Sequence, residues 1–118
     1  QSVILEKTPS ACNKMTHLFQ GHALCSMEQL RTKRRHYFTI DNSTFSLFED
    51  ESQEFVLWRV DMKSAVLRLD FEVDRDGNHK FKLVESPTEI YTFTPENQLY
   101  AVAVISHLKK FCIIIQDY

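Results

Sequence analysis

The sequence predicts a mostly β domain that ends in one amphipathic helix. Short runs rich in aromatic and β-branched residues recur along most of the chain, separated by clusters of Asp, Asn, Ser and Gly. Between Ala65 and Val73 every second residue is apolar, which indicates a strand with one buried face and one solvent-exposed face. After Pro95 the apolar spacing becomes helical. Because no helix separates the strands, we expect them to pair antiparallel.

Seven strands are predicted from these runs. In chain order they cover residues 17–27, 35–40, 44–48, 54–60, 65–73, 79–85 and 89–93. Gly21 interrupts the first strand and predicts a bulge or sharp bend there. Asp76-Gly77 predicts a hairpin turn between the fifth and sixth strands, with Gly77 at positive φ.

The C-terminal part of the chain carries a helix-start pattern and a helical repeat. Thr94 is placed to cap the helix and Pro95 to occupy its first position. The apolar residues that would share one face are Ala101, Val104, Ile105, Leu108, Phe111, Cys112 and Ile115. We therefore predict a helix of about five turns that covers an open end of a curved sheet or barrel.

The length of 118 residues fits one domain. Residues 1–14 are predicted to be a lead-in or linker, residues 15–118 the domain, and a chain that starts at Gln1 is expected to be a piece of a longer protein. No apolar run approaches the roughly 18 residues that a membrane span requires. Cys12, Cys25 and Cys112 are odd in number and lack metal-ligand spacing, so we expect reduced, partly buried thiols of an intracellular protein.

Positive charge is concentrated near the start of the chain. Residues 1–37 contain six Lys or Arg and two acidic residues. The remaining residues contain eight Lys or Arg and fourteen acidic residues. The densest basic segment lies in the predicted loop 28–34 and the strand after it: Arg31, Lys33, Arg34, Arg35 and His36. Such a segment can simply face water, but a domain polarised in this way also has a natural anion-binding end.

The order of elements resembles a pleckstrin homology (PH) domain over roughly residues 15–116. The similarity includes a bent first strand with a glycine, a basic loop, further strands and a C-terminal helix. Its best local match is the basic and aromatic second strand, Arg35-His36-Tyr37-Phe38-Thr39-Ile40. The resemblance implies a seven-stranded antiparallel bent sandwich or barrel capped by one α-helix. Phosphotyrosine-binding, EVH1 and Ran-binding domains share that scaffold, so fold alone leaves the function open.

The resemblance also implies a function. It predicts a membrane-targeting module of a larger signalling or scaffold protein, cytoplasmic and peripheral at the plasma membrane, that binds phosphoinositide headgroups or anionic lipid. The implied binding residues are Arg31, Lys33, Arg34, Arg35, His36 and His22. Many lipid-binding members place Lys and Arg where this chain has Cys25 and His36, so modest affinity is expected. The helix has Val104 where the family typically has Trp.

Two other classes of function are compatible with such a scaffold to different degrees. The same scaffold can serve as a protein-interaction module that binds another segment of its parent or a separate partner, and exposed apolar residues on an edge strand would favour this alternative. Nucleic acid is an unfavourable partner because the acidic remainder would repel a long polyanion. The sequence predicts no enzyme, cofactor or metal site, since it has no phosphate loop or nucleophile motif and its five histidines lack ligand spacing.

Overall fold

The computed structural model describes residues 17–27 and 32–115. Eight strands form one sheet in the order β4-β3-β2-β1-β7-β6-β5-β8. The strands are β1 (Phe19–Met27), β2 (Lys33–Asp41), β3 (Thr44–Phe48), β4 (Val56–Asp61), β5 (Arg68–Val73), β6 (His79–Ser86), β7 (Glu89–Pro95) and β8 (Ile113–Ile114). A 3₁₀ turn (Gln98–Tyr100) leads into the helix α1 (Ala101–Leu108). The predicted lead-in 1–14 lies outside the described residues.

The sheet is curled into a half-barrel around an aromatic core. Trp58 of β4 stacks on Tyr91 of β7 with ring centroids 4.2 Å apart, although three strands lie between them in the sheet. In a flat sheet four strand spacings would separate the two strands by about 19 Å. Phe45 likewise reaches Phe93, with centroids 5.2 Å apart. The predicted fold class, mostly β with one C-terminal helix, is therefore confirmed.

The predicted five-turn helix is wrong in length and in its start. Pro95 is the last residue of β7, where it pairs with Ala23 of β1, and Asn97 caps the following 3₁₀ turn by accepting a hydrogen bond from the Leu99 N–H. The α-helix has eight residues. Beyond it the β-branched run that includes Ile113 favours extended backbone and forms an eighth strand, parallel to β5. The expectation of seven antiparallel strands is corrected accordingly.

The short helix still covers the core. Val104 and Leu108 are fully buried, and Ile105 is nearly so. His107, also buried, bonds through Nε2 to the Asn42 carbonyl oxygen at 2.5 Å, which ties the helix to the turn between β2 and β3. Burial of these side chains is the predicted role of the helix, achieved with about two turns rather than five.

Gly21 does not mark a bulge. The pairing of β1 with β2 runs without a register shift from Phe19 to Ser26. A Cβ at Gly21 would lie 2.8 Å from the Tyr100 hydroxyl oxygen, and that hydroxyl donates a hydrogen bond to the Gln20 carbonyl. The glycine is therefore required by the close approach of Tyr100.

The turn prediction at Gly77 is confirmed, whereas the start of β5 is not. Gly77 has φ +84° in the turn between β5 and β6. The fifth strand begins at Arg68 and not at Ala65. The reason is a turn organised by Asp61, whose Oδ1 accepts the Lys63 N–H and whose carbonyl accepts the Ala65 N–H.

Candidate functional site

The predicted basic residues lie mainly on one strand. Lys33, Arg34, Arg35 and His36 all belong to β2, so Lys33 and Arg34 are strand residues and not part of a loop as predicted. Arg31 lies outside the described residues. Because neighbouring side chains of a strand point to opposite faces, the four described side chains cannot converge on one ligand.

Cross-strand pairing assigns each residue to a face. Arg34 pairs with Cys25, and His36 pairs with Ala23. Cys25 and Ala23 are core residues, so Arg34 and His36 belong to the inner face at the mouth of the half-barrel. Lys33 and Arg35 then belong to the outer face, which they share with His22.

Beside Arg34 and His36, the described residues of the inner face form a small recess. It is lined by Cys25, Met27, Thr32, Arg34 and His36, and its volume is about 10 Å³, room for about one water molecule. His36 bonds through Nδ1 to the Glu49 carbonyl oxygen at 3.0 Å. Burial raises the pKa of the Cys25 thiol to about 12, so this position carries no charge at neutral pH. As lined by the described residues, this recess is too small to enclose an inositol phosphate.

The outer face is largely neutralised by acids. Arg35 forms an ion pair with Glu96, with Nε and Oε2 2.5 Å apart, and the hydrogen bond raises the pKa of Arg35 and lowers that of Glu96. His22 lies with its Nε2 3.7 Å from a Glu51 carboxylate oxygen and packs edge-on against Tyr37. His22 and Arg35 are thus engaged by partners within the domain.

Lys33 and Arg34 differ from Arg35 and His22. Both are exposed, and within residues 17–27 and 32–115 neither has a carboxylate within ion-pair distance. They occupy opposite faces at the very start of β2. Among the described residues, the end of the β1–β2 hairpin therefore carries two exposed cations that have no carboxylate within ion-pair distance, and we call these two residues the hairpin tip.

An apolar stretch at the β4 edge of the sheet was not predicted as a functional surface. Phe55 is 62% exposed, Val56 46% and Leu57 38%. They lie at the start of β4, which ends the sheet in the described strand order. Three consecutive apolar residues were visible in the sequence, but only the strand order shows that they are at an edge, where partner chains can pair.

Residues 17–27 and 32–115 contain neither a metal-binding cluster nor a membrane-spanning helix. Among residues 17–27 and 32–115, no group of three or more His, Cys, Asp or Glu side chains is placed to hold a metal ion. In the same residues there is no helix long and apolar enough to cross a membrane.

Comparison with known proteins identifies the fold. No family model and no curated protein matches the sequence. Among solved structures, a pleckstrin homology domain solved in solution superposes with a TM-score of 0.61 at 11% identity, over 83% of this chain and 87% of that one. The human PH domain of pleckstrin homology domain-containing protein family A member 5 superposes with a TM-score of 0.50 at 12% identity. The match covers 98% of this chain and 93% of that one.

A third similar structure is a longer chain, Vav1 inhibited by an allosteric inhibitor. It superposes with a TM-score of 0.59 at 15% identity, over 79% of this chain and 26% of that chain. The domain therefore has the pleckstrin homology fold. At these identities the likeness establishes the architecture, and the ligand must be argued from the site.

Proposed function

We propose that this domain binds anionic membrane lipid, phosphoinositide headgroups in particular, through the hairpin tip. The observation that carries the proposal is that Lys33 and Arg34 are exposed without a carboxylate in ion-pair distance, within the described part of the chain. An arginine fork and a lysine point charge both suit phosphate oxygens. Arg31, which precedes the described strand, is expected to add a third charge.

The affinity follows from the number of charges and from the small recess. Each basic residue near an anionic leaflet contributes about 1 kcal/mol, so two or three give weak and reversible attachment. Within the described part of the chain, the inner recess of about 10 Å³ is too small to enclose a headgroup. Stable recruitment then requires a second contact, which combines with the first through effective concentration. We therefore place the domain in a larger signalling or scaffold protein at the cytoplasmic face of the plasma membrane.

Acids beside the hairpin restrict how it can meet a membrane. Glu49, Asp50 and Glu51 are exposed in the turn between β3 and β4, and the contact of His36 with the Glu49 carbonyl places this turn next to β2. An anionic leaflet repels these carboxylates. The domain is thus expected to approach tip first, with Lys33 and Arg34 nearest the lipid.

The test is vesicle binding at two salt concentrations. Vesicles of neutral lipid, neutral lipid with phosphatidylserine, and neutral lipid with a phosphoinositide are compared. The wild type is expected to bind the phosphoinositide vesicles best and to weaken as salt rises. The double reversal Lys33→Glu with Arg34→Glu is expected to abolish binding and leave the melting temperature nearly unchanged, since exposed charges contribute little to stability.

A charge-matched control separates the tip from net charge. Lys63→Glu with Lys110→Glu changes the charge equally at residues beside Asp61 and His107, on the side of the β2–β3 turn and away from the tip. This control is expected to bind nearly as well as the wild type. If the wild type does not bind at low salt, or the tip reversal still binds, the proposal is rejected.

A protein-interaction module is the second candidate, and the exposed residues Phe55, Val56 and Leu57 favour it. An edge strand with apolar side chains can add a strand from another segment. Leu57→Lys would then abolish binding of a segment of the parent protein while vesicle binding stays unchanged. Loss of vesicle binding in this variant would instead place the apolar edge at the membrane.

A further inference from the structure

His22 lies between two carboxylates on the outer face of the sheet. Its Nε2 is 3.7 Å from a carboxylate oxygen of Glu51, and only 18% of its side chain is exposed. Its backbone carbonyl accepts the Glu96 N–H at 2.9 Å. The pKa of Glu96 is lowered chiefly by the hydrogen bond from Arg35 and to a smaller extent by the charge of His22. A proton on the imidazole would therefore meet two negative charges.

The other titratable groups around His22 keep one charge state near neutral pH. Tyr37 packs edge-on against the imidazole, with ring centroids 5.0 Å apart. Burial raises the pKa of Tyr37 and that of Tyr100 above the ordinary value of 10.0, so both phenols stay neutral. Arg35 stays charged. Because histidine is the side chain that changes its charge between about pH 5 and 8, His22 is the variable group. The turn that contains Glu51 also carries Glu49 and Asp50.

These contacts define a His22 cluster, which consists of His22, Arg35, Glu51 and Glu96. Its one arginine and two glutamates leave a net negative charge while His22 is neutral, and a proton on His22 cancels that charge. The cluster shares the outer face with Lys33 of the hairpin tip. A negative cluster beside the tip opposes contact with an anionic leaflet, and its neutralisation removes that opposition.

We propose that protonation of His22 strengthens the binding of the hairpin tip to anionic lipid, so that the domain binds such membranes better in mildly acidic than in neutral surroundings. This inference rests on the proposed lipid function and adds regulation by pH to the same site. Glu51 and Glu96 are the parts of the device that repel the membrane, and His22 is the part that responds to acid.

The distance from His22 to the tip sets the size of the effect. His22 pairs with Tyr37, which is four residues along β2 from Lys33 and hence about 13 Å away. Charges are screened over about 10 Å at 0.1 M salt and over about 30 Å at 0.01 M. A charge at the leaflet itself would raise affinity about fivefold. We therefore expect a gain of about two- to threefold from pH 7.5 to pH 6 at the lower salt concentration, and a smaller gain at the higher one.

Vesicle binding at two pH values tests the proposal. Vesicles of neutral lipid with phosphatidylserine are used at both salt concentrations, and the measured quantity is the ratio of affinities at the two pH values. His22→Gln cannot take up a proton and is expected to lose most of the gain. His22→Lys is always charged, so at neutral pH it is expected to bind about as well as the acidified wild type. A change in the charge of the lipid would affect all variants equally.

Two further histidines serve as controls. His79 lines the groove between β5 and α1, away from the tip, and His79→Gln is expected to keep the full gain. His36 lies on the inner face next to Arg34, and His36→Gln is expected to keep the part of the gain that depends on His22.

The lipid-free protein gives an independent measurement. The Arg35 Nε–H donates to a Glu96 carboxylate oxygen, so its NMR resonance reports the charge within the His22 cluster. Between the two pH values this resonance is expected to shift in the wild type and in His79→Gln, and to shift much less in His22→Gln.

Three results would overturn the inference. The first is an equal gain in the wild type and in His22→Gln. The second is a gain that His36→Gln abolishes and His22→Gln keeps, which would move the sensor to the inner face. The third is an Arg35 resonance that shifts equally with and without His22. A wild type that binds vesicles at neither pH rejects the proposed function as well, whereas these three results leave that function standing.

Discussion

Arg35 and Glu96 form a bidentate ion pair, in which Nε lies 2.5 Å from Oε2 and Nη2 lies 3.1 Å from Oε1. The pair spans β1 and joins β2 to the residue that follows β7. Both side chains are about half exposed, so solvent screening leaves the pair little weight in stability. Its main effect is electrostatic, because Glu96 neutralises the arginine closest to the hairpin tip.

Releasing Arg35 should strengthen vesicle binding. Glu96→Gln removes the carboxylate and frees a guanidinium beside Lys33 and Arg34. One additional basic residue at an anionic leaflet is worth about 1 kcal/mol, so affinity for phosphoinositide vesicles is expected to rise about fivefold. Cosedimentation at fixed salt measures it.

The matched control for this prediction is Asp41→Asn, which changes net charge by the same amount at the opposite end of β2 from Lys33. It leaves the Arg35–Glu96 pair in place and is expected to change affinity much less. Equal gains in the two variants would mean that net charge, and not release of Arg35, controls binding.

Leu108 is expected to be essential to stability. Its side chain is fully buried between α1 and the sheet, and Leu108→Ala should lower the free energy of unfolding by about 2–5 kcal/mol. That is a large share of the roughly 5–15 kcal/mol of a small domain. Denaturant unfolding measures the loss, and the exposed Ser106→Ala on the same helix is the control. An unchanged midpoint for Leu108→Ala would show that the helix does not cover the core.

Gly77 and Asn78 should respond differently to the same substitution. Gly77 has φ +84°, which a β-branched residue adopts only with strain of roughly 1–3 kcal/mol. Gly77→Val should therefore lower the melting temperature clearly more than Asn78→Val. Similar shifts for both variants would contradict a tight turn at this point.

Gly21 and Tyr100 should be coupled. A Cβ at Gly21 would lie 2.8 Å from the Tyr100 hydroxyl oxygen, so Gly21→Ala is expected to cost about 1–3 kcal/mol through overpacking. Tyr100→Phe removes the obstructing oxygen. The double variant should then cost less than the two single changes together, as measured in a double-mutant cycle. Simple additivity would place the strain elsewhere.

Acid should destabilise the turn between β5 and β6. Hydrogen bonds from the backbone N–H groups of Asn78 and Asp76 lower the pKa of Asp74 below its ordinary value of 3.8. When the pKa of a carboxyl group is lower in the folded state than in the unfolded state, its ionised form stabilises the fold. This stabilisation is complete at pH values above the pKa of the unfolded state, and it is lost as the pH falls through the pKa of the folded state. The melting temperature should thus fall below about pH 4, and less steeply in Asp74→Ala. Parallel profiles would exclude Asp74 as a contributor.

Much of the fold could be predicted because its determinants are local. The aromatic and β-branched runs, the turn at Gly77 and the start of β3 at Thr44 depend on residues close in sequence. The errors arose where a local pattern fits two structures. Phe111, Cys112 and Ile115 match a helical repeat, but Ile113, Ile114 and Ile115 form a β-branched run, and the free edge of β5 favoured the strand.

The candidate site was predicted in composition but not in geometry. The basic residues of β2 were found from the sequence, yet their division between two faces depends on where the strand begins. A loop ending at Arg34 would have let the side chains converge. Because Lys33 already pairs with Ser26, alternation separates them.

By itself the sequence determined the strand and turn pattern, the position of the basic segment and the burial of one face of the C-terminal helix. These follow from side-chain periodicity and turn chemistry within short windows. Only the tertiary structure decided that Glu96 neutralises Arg35, that Tyr100 requires a glycine at position 21 and that Phe55 lies at a sheet edge. Each of these depends on which distant segments become neighbours when the sheet curls, and no local pattern encodes that choice.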